Sequence, residues 1–223
     1  MTPLTLTFLL TFTVNLFYAQ ANVFDTTLIM NKQKISIRTK ILNNEQQLLT
    51  STYQSKTTFI DTIYTEGLAY IKYPDFNKDG YADILMDYFG NNSTYYLYLF
   101  NPATNKFVSI ANYSNFPNAV QLKSNPNYYY SYHRAGCADA NWVSDLFKIT
   151  DFKIIHLAHI DGNGCAADLN ESPQIIKIYK VLDSNEEKEK LIENLSYLKA
   201  IPSFSDKWDF IKKYWNTNYI KFL

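Results

Sequence analysis

From about Asn22 to Asp183 the chain alternates short apolar or aromatic runs with turn residues. Ile35-Ser-Ile37-Arg-Thr-Lys-Ile41 partly alternates. Gly67 to Ile71 reads as a strand entering a polar turn, and Ala82 to Met86 as a strand leaving it. Tyr95 to Phe100 presents two apolar faces, Asn101 to Lys106 supplies a turn containing Pro102, and Phe107 to Ile110 returns, which predicts a hairpin. Tyr128 to Tyr132, Leu146 to Ile149, Ile154 to Ile160 and Gln174 to Leu182 complete the candidate strands. This spacing predicts a mainly β fold, an antiparallel sandwich or meander over 22–183.

The period changes after Asp183. Ser184 and Glu187 form a capping box, and Leu191, Ile192, Leu195, Leu198 and Ile201 recur at helical spacing up to Pro202. Ser205 can cap a second helix, with Trp208, Ile211 and Trp215 on one side and Phe210 and Tyr214 widening the apolar face. The expectation is a pair of short helices over 184–223 packed on the β domain.

Met1 to Phe24 carries no charged side chain, and its apolar run ends at Ala19-Gln20-Ala21, a small-residue pattern of the kind signal peptidase reads. Residues 1–21 are therefore expected to be an export signal, placing the chain in the periplasm or outside the cell. The threonines make this segment a poor spanning helix, so no membrane span is expected after cleavage. Export bears on Cys137 and Cys165, the only cysteines among 223 residues. In an oxidising compartment they are expected to be bonded, closing a loop worth about 3–4 kcal/mol; two buried free thiols are the alternative. Hydrophobic residues make up 47% of the chain, enough to bury a core. Lys+Arg and Asp+Glu are both 21, so the basic excess of a nucleic-acid binder is missing.

The candidate chemistry centres on Asp75-Phe-Asn77-Lys-Asp79-Gly80-Tyr81-Ala-Asp83. Oxygen-bearing side chains stand at loop positions 1, 3, 5 and 9, a glycine at 6, and the carbonyl of Tyr81 at 7. A hard cation such as Ca²⁺ takes six to eight such oxygens, and three carboxylates in one tight loop repel one another without it. The bland reading is a metal-free Asx turn. Strand-like flanks and Met86 at position 12 exclude an EF-hand.

Asp-x-Asn-x-Asp-Gly-x-x-Asp between strands resembles the calcium loop of FG-GAP and VCBS repeats. That resemblance implies Ca²⁺ ligands at Asp75, Asn77, Asp79, Tyr81 (through its carbonyl) and Asp83. With one loop the chain is no propeller. The stretch from Gly67 to about Ile110 is similar to small exported bacterial β domains, some of which resemble periplasmic inhibitors of invertebrate-type lysozyme. No Ser-Gly occurs, so no inhibitory residue carries over. The implied function is an exported, calcium-stabilised domain that binds a protein or glycan, inhibition of a cell-wall hydrolase being one form of it, with no catalysis of its own. The rival is a secreted hydrolase of wall or glycan polymers.

Tyr128 to Arg134 reads either as a recognition loop, with Tyr130, Tyr132, His133 and Arg134 as partner contacts, or as a core strand with half its tyrosines inward. His156 and His159 are three apart in a candidate strand, which sends them to opposite faces and argues against a metal site.

Overall fold

Alternating burial builds the first layer. In the computed structural model, which describes residues 24–30, 32–90, 92–165, 174–183 and 188–223, strand β2 (Gln33–Ile41) buries Ile35, Ile37 and Thr39 and turns Lys34, Arg38 and Lys40 to solvent. It pairs with β1 (Thr26–Met30) and β3 (Gln46–Tyr53), and β3 with β4 (Lys56–Tyr64), as an antiparallel meander. The β3–β4 hairpin was not marked by the sequence pattern: its threonines and glutamines leave few apolar positions, although Gln54 and Ser55 take the left-handed conformation a tight hairpin needs.

The second sheet is also a meander, β5 (Leu68–Lys72), β6 (Ile84–Tyr88), β7 (Thr94–Asn101) and β8 (Lys106–Ser109), with the expected β7–β8 hairpin. Both its faces are covered. One packs Ile84, Met86, Tyr98 and Phe100 against Ile35, Ile37, Leu49 and Ile63 of the first sheet, and Tyr98 donates to Asp61 across that interface at 2.9 Å. The other packs Leu97 and Leu99 against Tyr129 and Phe147 of the third sheet.

The third sheet runs β15 (Glu189–Ser196), β14 (Ile175–Val181), β13 (Lys153–Asn163), β12 (Asn141–Thr150), β10 (Tyr128–Tyr130) and β9 (Val120–Gln121), with β11 (His133–Arg134) also on β12. Its far face carries Trp142, Leu146, Ile160, Ile176 and Ile178 and is covered by helix α2 (Asp206–Asn218) through Ile211, Tyr214 and Trp215. The molecule is thus four layers: sheet, sheet, sheet, helix. The mainly β antiparallel fold with short C-terminal helices agrees with the expectation.

Two details differ. The helical spacing read from Leu191 to Ile201 is a strand over Glu189–Ser196, followed by one helical turn, α1 (Tyr197–Ala200). The boundary placed at 183/184 therefore moves to Ser196, because β15 completes the third sheet. Its register slips between Ile178 and Tyr179 of β14, so Ile192 and Leu195, three apart, both pack toward the helix layer. In α2, Trp208 is half exposed, and Lys207 takes the buried position instead. The proposed export signal and the Ser184–Glu187 cap lie outside the described residues.

Candidate functional site

Loop 75–83 links β5 to β6 and is shaped by its own side chains. Gly80 has φ +90° and Lys78 φ 59°, the left-handed conformations that close the turn. Asp75 Oδ2 accepts from the Gly80 N–H at 3.1 Å, Asn77 Oδ1 from Asp79, and Asp79 Oδ1 from Tyr81 at 2.9 Å. Phe76 anchors the loop by stacking on Tyr129, ring centroids 5.0 Å apart, and the Ala82 N–H points at Met30 Sδ. The loop therefore touches all three sheets.

Asp83 is fully buried. Its two oxygens accept from the backbone N–H groups of Phe76 and Phe100, each at 2.8 Å. Burial pushes its pKa up to about 7 despite those bonds, and the charges of Asp79 and Asp75 add to the rise. Three carboxylates thus face one another's fields, the electrostatic situation a cation relieves, and the donor set suits a hard ion. Among the described residues no group of three His, Cys, Asp or Glu is drawn close enough to ligate a metal.

The tyrosine run divides as a strand should. Tyr129 and Tyr132 are buried. Tyr132 is therefore no surface anchor: its hydroxyl bonds Asp139 and receives the Lys207 ammonium at 2.9 Å. Lys207 also lies 3.0 Å from Asp139 Oδ2, donates to the Asp139 carbonyl, and sits over the rings of Phe204, Trp208 and Tyr132 at 4.2–5.2 Å. Burial lowers its pKa, against the opposing pull of Asp139. Cys137 and Cys165 are bonded, Cα atoms 5.8 Å apart, as the sequence suggests. Tyr130 is half-buried and Arg134 exposed, its guanidinium 3.8 Å from Asp139.

The histidines require a correction. The β12–β13 register shifts between Leu146 and Phe147, leaving Leu157 as an extra residue. His156 and His159 consequently share the face of Asp145, their ring centroids 6.1 Å apart. His156 Nε2 lies 3.3 Å from Asp145 Oδ1, and His133 Nδ1 4.0 Å from Asp145 Oδ2, an oxygen that already accepts from Ser131 Oγ at 2.7 Å. His159 approaches Glu189 at 3.4 Å and Asp161 at 3.9 Å. Burial raises the Asp161 pKa, and the neighbouring His159 moderates the rise.

The second sheet covers only part of this face. Where it stops, a polar cavity of about 390 Å³ opens, floored by His133, Asp145 and His156. Asn92 and Ser93 of the β6–β7 connection and Thr94 at the start of β7 form one wall, and Ser114 to Pro117 the other. Sequence reasoning singled out His133 alone. Asp145 carried no local motif, and the strand period concealed the histidine pair.

No protein-family model and no curated protein matches the chain. Among solved structures, one described as "Structure of a Xanthomonas Type IV Secretion System related protein" superposes with a TM-score of 0.46 at 15% identity, over 82% of this chain and 98% of that one. Among the described residues no helix is long and apolar enough to cross a membrane. The disulfide is compatible with an exported protein.

Proposed function

We propose that this chain is an exported β domain that binds a protein or glycan partner without acting on it chemically. Ca²⁺ held by Asp75, Asn77, Asp79, Asp83 and the Tyr81 carbonyl would brace its three sheets; inhibition of a cell-wall hydrolase is one form such binding can take. The reading is carried by the β6–β7 connection, which supplies one wall of the polar cavity and also presents Phe89, 71% exposed and edge-on to the exposed Tyr70 at 6.2 Å. An aromatic ridge beside convergent polar groups is an anchor-and-rim arrangement. The test is retention of the full chain on cell-wall polysaccharide and on immobilised wall hydrolases. Retention by one of these, lost in Tyr70→Ser/Phe89→Ser, is expected; no retention, or retention unaffected by the double substitution, overturns it.

The hydrolase reading draws on a different observation, the buried Asp145 between two imidazoles, a pairing suited to proton transfer. Release of reducing ends from wall polymers by the wild type but not by Asp145→Asn would establish it.

A further inference from the structure

We propose that the cavity floored by His133, Asp145 and His156 receives one neutral sugar residue of a glycan; the proposal rests on the binding reading and names its ligand chemistry. The walls are amides and hydroxyls, Asn92, Ser93, Thr94, Ser114 and Asn115, each able to donate and accept. A polyol needs both directions of hydrogen bonding at once, whereas a charged ligand needs a counter-charge. Among the described residues no lysine or arginine lines the cavity, so an anion would meet no fixed positive charge there. Asp145, the one carboxylate among the described lining residues, already accepts from Ser131 Oγ and lies 3.3 Å from His156 Nε2, which leaves few of its lone pairs for an ammonium.

The hydrogen bonding at the cavity floor fits a hydroxyl. Among the described residues His133 Nδ1 is buried without a hydrogen-bond partner, and it lies 4.0 Å from Asp145 Oδ2, too far for a direct bond. A hydroxyl between them can accept from the imidazole N–H and donate to the carboxylate, satisfying both. The volume, about 390 Å³, lies at the small end of ligand pockets, which run from about 300 to 1,000 Å³. It suits one ring.

The test is a titration of the full chain with neutral cellotriose, maltotriose and tri-N-acetylchitotriose, and with anionic trigalacturonate, followed by amide NMR shifts. At least one neutral trimer at millimolar concentration should move Asn92 to Thr94, Ser114 to Phe116 and His133. Asp145→Asn and Asn115→Ala should each weaken binding by about tenfold or more. Asn115 lies on the cavity wall, so its variant tests the site even if Asp145→Asn fails to fold. No neutral trimer moving these amides, binding of trigalacturonate alone, or equal affinity in Asn115→Ala overturns the proposal. Retention on a partner that Asn115→Ala leaves intact sinks the sugar pocket and spares the binding reading. A trimer bound and then cleaved does the reverse, keeping the pocket and refuting a non-catalytic domain.

Discussion

Single side chains carry opposite electrostatic loads at two places in the layer stack, Lys207 under the helix layer and Asp83 where the three sheets meet. Lys207 is completely buried, its charge answered by Asp139 and three aromatic faces. Lys207→Ala leaves Asp139 without its cation and opens a cavity, so a loss of about 3–5 kcal/mol is expected in urea unfolding. Lys207→Met keeps the volume and the ring contacts and should cost less. Nothing around Ser205-Asp206-Lys207-Trp208 announced this inversion: a lysine beside a tryptophan reads as the solvent side, and only the rings of Tyr132 and Phe204, distant or bent back in sequence, make the site. Asp83 shows the converse, a carboxylate whose pKa rises from an ordinary value near 3.8 to about 7. Between these values the folded chain binds more protons than the unfolded one, so stability falls as pH rises. In chelator, the urea midpoint should therefore drop between pH 4 and pH 8, by on the order of 4 kcal/mol of stability from this group alone. Ca²⁺ favours the ionised carboxylate and should flatten or reverse that slope. A midpoint equally pH-dependent with and without Ca²⁺ would mean the ion does not reach Asp83.

At the level of elements, two sequence expectations failed for one reason. A period of two places residues three apart on opposite faces, but one extra residue in a strand restores them to the same face. Leu157 does this for His156 and His159, and Ile192 lets itself and Leu195 face one layer. The β2, β7 and β8 strands, free of such irregularities where they alternate, were legible, as was loop 75–83, whose conformation is dictated by Asx bonds within nine residues. Bulges depend on how two strands settle together and leave no mark in either one alone. The end of β13 holds a sharper constraint. A Cβ on Gly162 would lie 2.1 Å from the Trp142 ring, itself fully buried. Gly162→Ala must displace that indole from under helix α2, so a loss of about 1–3 kcal/mol is expected, with a changed tryptophan emission spectrum.

Across the whole molecule, loop 75–83 acts as a brace between layers and the disulfide as a tie within the third, joining the start of β12 to the end of β13. If Ca²⁺ binds the folded state alone, a hundredfold excess over its dissociation constant adds about 2.7 kcal/mol, or a rise of roughly 5–11 °C in Tm for a chain of this size. Asp79→Ala should remove most of that response, and Lys78→Ala should leave it. A Tm identical in Ca²⁺ and chelator would make the loop a metal-free turn. Reducing Cys137–Cys165, 28 residues apart, should cost about 3–4 kcal/mol. The layers also follow one another in chain order. Residues 26–64 form the first sheet, 68–109 the second, 120–196 the third, and helix α2 comes last. A chain threaded amino-terminus first through a membrane pore could lay each sheet on the one before it, never waiting for a distant strand to close a layer. Lys207 follows all three sheets in the chain and seats itself against the turn that holds Cys137, so in such vectorial folding it would act as a latch on the third sheet rather than a nucleus. Its loss would then speed unfolding far more than it slowed folding.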